Sequence, residues 1–147
     1  MNKVRFNYTD RKLNFSAKTD LKSLVELVFK KEGKSLHLIN FIFCSDDFLL
    51  DINRTHLQHD YYTDIITFPL SEKSHPIEAE VYISLDRVKQ NAKDNKQSFT
   101  SELVRVLTHG ALHLCGYKDK SKSDIKTMRE KEDFYILELQ KFHVKLL

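Results

Sequence analysis

The stretch His109-Gly110-Ala111-Leu112-His113-Leu114-Cys115-Gly116-Tyr117-Lys118-Asp119 restricts the folding of this chain more than any other. Its apolar spacing is helical, and residues four apart share one face of a helix, one turn apart. His109 and His113 can therefore reach one point. Gly116 ends the helix, since a residue without a side chain enters the left-handed conformation freely. The chain must then turn, and Asp119 can fold back toward the two imidazoles. Two imidazoles and a carboxylate make three ligands for a divalent cation with a coordination position left open, the layout of a catalytic metal site rather than a closed structural one.

A bare pair of histidines four apart is a weak signal in a chain with seven histidines. Alone it fits two histidines on a half-buried helix face, and Asp119 alone fits a solvated turn between Lys118 and Lys120. A zinc-protease reading fails at Gly110, because the H-E-x-x-H enzymes place their general base beside the first histidine and this position has no side chain. Glycine inside a helix costs about 1 kcal/mol against alanine. Gly110 therefore signals a close approach, by substrate or by a packed neighbour. Arg105 lies one turn before His109 and could hold a phosphate in its planar fork; the alternative is an i,i+3 surface pair with Glu102.

The spacing resembles the YbeY family of bacterial single-strand endoribonucleases, whose signature is H-G-x-L-H-L-x-G-Y-D-H. The match runs from His109 to Tyr117, and a second block agrees. The family carries L-N-x-x-Y-R-G-K-D-x-P-T-D-V-L-S-F-P, and here Ile52-Asn53 leads to Asp60, Thr63-Asp64 and Phe68-Pro69 in the same register. The resemblance implies one Zn2+ per chain held by His109, His113 and Asp119. It also implies cleavage of single-stranded RNA in ribosomal RNA maturation and ribosome quality control, with ribosomal RNA precursors and the small ribosomal subunit as partners. The other reading it leaves open is a ribosome-assembly RNA-binding factor with a mainly structural metal site. The chain departs from the pattern at three places. Lys118-Asp119 replaces Asp-His, which adds a negative charge to the ligand set; two histidines and a carboxylate also suit Fe(II) or another divalent metal. Leu57 and His59 replace an arginine and a lysine that would hold phosphates. Asn53, His56 and His59 would border the cleft or lie on the surface, while Thr63 and Asp64 shape the turn into a strand.

The rest of the sequence reads as one α+β domain over residues 1–147: a mixed four-stranded sheet packed with about five helices, the metal-site helix being central. Strands are expected over 3–8, Leu36 to Phe43, Asp64 to Leu70 and Ala79 to Leu85, the last two as partners. Helices are expected over 21–32, capped by Asp20 and stopped by Gly33; from Ser45-Asp46-Asp47 to Thr55; and over 85–96. A fourth would run from a Thr100 or Ser101 cap to Leu114. A fifth would run from Ser123 to Phe142 with Ile125, Met128, Tyr135, Ile136 and Leu139 inward. No run of about 18 apolar residues exists, so a spanning helix is not expected. Met1 to Phe6 shows no apolar segment or cleavage site of a secretory signal, and Cys44 and Cys115 sit in apolar runs expected to be buried thiols, so a cytoplasmic location is expected. The net charge of +3 permits an RNA partner without arguing for one.

Overall fold

The computed structural model describes residues 3–14 and 17–141. The elements run β1 (Val4–Tyr8), α1 (Lys18–Lys31), β2 (Leu36–Cys44), α2 (Asp46–Leu57), β3 (Ile65–Pro69), β4 (Ile77–Ser84), α3 (Leu85–Asp94), α4 (Phe99–Leu114) and α5 (Lys122–Gln140). One mixed sheet has the order β1-β2-β4-β3. β1, β2 and β4 are parallel, and β3 pairs antiparallel to β4, with Ile65 opposite Ile83 and Pro69 opposite Ala79. Parallel neighbours need a crossover connection, which α1 supplies between β1 and β2. β3 and β4 form the expected hairpin at the other edge. β2, like β4, is paired on both sides, and it buries Ile39, Phe41, Phe43 and Cys44 fully.

α4 packs against α1, α3 and α5 and touches β3. That enclosure explains why it buries Leu103, Val104, Val106, Leu107, Ala111 and Leu112. At Gly110 the helix packs closely on the sheet. A Cβ there would lie 2.9 Å from Ile65 Cδ1 and 3.5 Å from Val81 Cγ1. The glycine therefore serves helix–sheet packing, and this packing sets the depth at which the neighbouring His109 sits.

Several boundaries differ from the sequence reading, each for a local reason. α4 starts earlier, capped by Ser98, whose Oγ accepts from the Ser101 amide at 3.0 Å; Thr100 and Ser101 lie inside its first turn. α1 likewise begins at Lys18, so Asp20 lies in the first turn, where its charge favours the helix dipole without capping. α2 does begin at a Ser45 cap, whose Oγ accepts from the Phe48 amide at 3.1 Å, and runs on to Leu57. α5 is capped by Ser121. The expected end of that helix, Phe142, lies outside the described residues. Its buried stripe is Met128, Glu132, Tyr135 and Leu139, while Ile125 is 51% exposed. Ile125 stands one turn ahead of the packed part, over a small pocket rather than against the core.

Candidate metal centre

α4 brings two imidazoles together as its spacing requires: the His109 and His113 ring centroids are 4.5 Å apart. The helix ends by returning its amides to its own last carbonyls, Gly116 N to His113 O at 3.0 Å and Tyr117 N to Leu112 O at 3.1 Å. Gly116 adopts φ +109°, which a side chain would strain. The reversal carries Asp119 back over the histidines. Its Oδ2 lies 3.3 Å from His109 Nε2 and 3.2 Å from His113 Nε2. One ligand atom from each of His109, His113 and Asp119 falls within 4.8 Å of the others.

The outer nitrogens of both rings are committed elsewhere. His109 Nδ1 meets Glu132 Oε2 at 2.7 Å, and His113 Nδ1 meets the Tyr117 carbonyl at 2.9 Å. Both partners are acceptors, so each Nδ1 donates its proton and each Nε2 is the ring nitrogen left facing Asp119. A hydrogen bond on one ring nitrogen that fixes the other as ligand is the usual support of metal-binding histidines. The donor set therefore fits a divalent transition metal, with two imidazole nitrogens and one carboxylate oxygen.

Glu132 was not visible as a site residue in the sequence reading. It is 5% exposed at the side chain and also accepts from Arg105 Nη1 at 2.8 Å. Burial pushes its carboxyl up, but the hydrogen bonds from His109 and Arg105 outweigh this and hold it below the usual carboxylate range. On His109 burial pushes the imidazole down; the bond and charge of Glu132, then the charges of Asp119 and Asp64, reverse that and raise it. Arg105 gives its second arm to Asp133, Nη2 to Oδ1 at 2.8 Å, rather than pairing with Glu102. It reaches α5 because Glu132 and Asp133 face α4 there, whereas Glu102 is itself buried.

The three ligands line an open groove of about 1260 Å³ together with Asn53, Thr63 and Asp64. Asp64 is half-buried and lines the small pocket beside Glu132 as well. Burial raises its carboxyl above the ordinary range, only partly offset by the His109 charge. Of the three residues in and just after α2 that border the expected cleft, Asn53 and His59 line the groove. His56 instead stands edge-on to Phe68. Both thiols are buried and take no part: burial pushes Cys44 and Cys115 each up to about 12, which makes them inert. Among the described residues no helix is long and apolar enough to cross a membrane.

The comparisons with known proteins agree with one another. A family model described as Endoribonuclease YbeY matches residues 4–140. The Endoribonuclease YbeY of Cytophaga hutchinsonii is 47% identical over 139 residues, covering 95% of this chain and 96% of that one. That of Flavobacterium psychrophilum is 45% identical over 142 residues, covering 97% and 98%. The solution structure of TM1509 from Thermotoga maritima superposes with a TM-score of 0.65 at 31% identity, covering 91% of this chain and 88% of that one.

Proposed function

The chain belongs to the Endoribonuclease YbeY family, and we propose that it is a metal-dependent endoribonuclease that hydrolyses single-stranded RNA. The observation that carries the reading is the convergence of His109 Nε2, His113 Nε2 and Asp119 Oδ2 in an open groove, with each Nδ1 already bonded. Ribosomal RNA precursors, met on the small ribosomal subunit in the cytoplasm, are the proposed substrate. Zn2+ is the proposed metal, one per chain.

Bound there, the cation would polarise a phosphoryl oxygen and make a water more acidic. The chain's own contribution is positioning. His109 and His113 are held in one tautomer by Glu132 and by the Tyr117 carbonyl. Asp119 adds a negative charge that a third imidazole would not, so the site binds the cation more tightly by charge and leaves it a weaker Lewis acid. Arg105 acts through Glu132, holding the carboxylate against His109. The groove is open to solvent, as entry of a flexible strand needs.

The test is cleavage of labelled single-stranded and duplex RNA by purified protein of known metal content. Single strands should be cut and duplexes poorly. His109→Ala should abolish cutting while the folded protein still binds RNA in low salt. Zinc-loaded protein that binds RNA and never cuts it would favour an assembly factor with a structural metal. Equal cutting by the wild type and His109→Ala would refute the assigned centre.

A further inference from the structure

The turn after α2 lies along the same groove as the three ligands, and it is built more rigidly than a connector needs. Gln58 closes the helix in the left-handed conformation at φ 56°. The buried Asn53 then clamps the turn at two points: its carbonyl accepts from the His59 amide at 3.1 Å, and its Nδ2 donates to the Tyr61 carbonyl at 2.9 Å. Arg54 and Asp60 form an ion pair across the same turn. The effect is to stack two rings. His59 and Tyr61 have centroids 5.2 Å apart and planes 20° apart, and the Tyr61 hydroxyl is hydrogen-bonded to His59 Nδ1 at 3.0 Å.

His59 stacks against the Tyr61 ring, and Tyr61 is nevertheless 55% exposed, so much of the residue stays open to solvent. Leu57, 39% exposed, adds apolar surface to the same wall. Positions 57, 59 and 61 carry neither Lys nor Arg, and Arg54 is engaged by Asp60. This wall has little to offer a phosphate. What it offers is a ring held flat and half in solvent, and the ligand chemistry that matches a fixed aromatic face beside an RNA cleft is an unpaired base.

We propose that the His59–Tyr61 pair is a stacking platform for one unpaired nucleobase of the RNA strand whose phosphodiester lies at the His109–His113–Asp119 centre. The proposal rests on the RNA reading of the groove and adds to it a source of selectivity. Bases inside a duplex have both faces covered by their neighbours, so a duplex must unstack before it can use the platform. Any base has a π-face, so the platform selects for single strands and only weakly for sequence.

The test is a fluorescence titration of the wild-type protein with single-stranded RNA carrying one 2-aminopurine at successive positions, repeated at several salt concentrations. One position should be quenched on binding. Tyr61→Ala should remove that quench and weaken binding about tenfold, with an unchanged salt slope, because no phosphate contact is lost. Tyr61→Phe keeps the ring and should keep the quench. RNA made abasic at the quenched position should bind wild type and Tyr61→Ala equally. Folding does not confuse the result, since the side chain is largely exposed and the Asn53 bond is to the backbone. Wild-type affinity and quench in Tyr61→Ala would overturn the proposal, as would a loss of affinity with a flatter salt slope. Cleavage measured in parallel separates the two readings: a position-specific, Tyr61-dependent quench in protein that never cuts removes the nuclease and supports the platform.

Discussion

Glu132 is the residue through which α5 controls the candidate centre, and its removal has a calculable effect. Its carboxylate spans two donors, His109 Nδ1 at 2.7 Å and Arg105 Nη1 at 2.8 Å, at 5% side-chain exposure. Glutamine at 132 keeps the shape but offers one acceptor oxygen and no charge. If that oxygen serves His109, Arg105 faces an amide NH2; if it serves Arg105, His109 loses its orientation. Outer-shell partners of this kind are worth about 10- to 100-fold in metal affinity. Glu132→Gln, which can keep one of the two bonds, belongs near the lower figure. Glu132→Ala, which keeps neither, belongs near the upper. Leaving one buried donor unpaired also costs the metal-free fold about 2 kcal/mol, or about 4–8 °C of melting temperature for a chain of this size. Arg105 retains Asp133, and so the loss stays well short of unfolding. The assay is competition for Zn2+ against a chromophoric chelator near neutral pH, with a calorimetric melt of the chelated protein beside it. Wild-type zinc affinity in both variants would refute the argument, because neither the tautomer nor the ring orientation of His109 would then depend on Glu132.

Asp119→Ala should lose most of the metal measured by elemental analysis, whereas Asp119→His should keep zinc and keep or raise RNA cleavage; full metal in Asp119→Ala would place the third ligand elsewhere, with Asp124 next in line. Glu32 should set part of the acid stability. Burial pushes its carboxyl up, but hydrogen bonds from Tyr117, Tyr135 and Lys131 pull it below its ordinary 4.5. A depressed carboxyl stabilises the fold above its unfolded pKa and loses that contribution as pH falls through the folded value. Acid titration of circular dichroism should therefore show Glu32→Gln less stable than wild type near neutrality, with the gap closing below about 4.5; a constant gap down that range would remove Glu32 from the account.

How much the sequence discloses depends on how local each signal is. His109, His113 and Asp119 were legible because a helix repeat and one helix-stopping glycine are enough to bring them together. The β3–β4 hairpin was legible from an apolar run ending at Pro69, a polar loop and an alternating run from Ala79 to Leu85. Strand order was not, since β2 beside β4 is a choice among tertiary packings. Helix caps slipped by two or three residues wherever several Ser and Thr residues compete, as at Ser98, Thr100 and Ser101. Glu132 left a trace that an apolar-only reading passes over. Of the inward positions Met128, Tyr135 and Leu139, the first two lie seven positions apart, and the residue that fills the stripe at helical spacing is an acid. A carboxylate on the buried face of a helix signals a partner, because burial without one is costly. Arg105 was legible as a donor near the site, but its acceptors come from an element 27 and 28 residues away.

The same helix pair ties the stability of the domain to the accuracy of the centre. Glu32, at the end of α1, accepts from the Tyr117 hydroxyl at 2.6 Å and from the Tyr135 hydroxyl at 2.5 Å. Tyr117 is the residue whose carbonyl holds His113 Nδ1, and it begins the turn that delivers Asp119. Tyr135 lies one turn beyond Glu132 on α5. One carboxylate thus anchors both the turn bearing the third ligand and the helix bearing the His109 partner. The Tyr117 carbonyl on His113, the turn to Asp119 and the helix carrying the His109 partner all lead back to Glu32, which does not itself line the groove. A substitution at Glu32 should therefore loosen the centre without touching the groove, and would appear as weaker zinc binding in protein whose RNA affinity in low salt is unchanged.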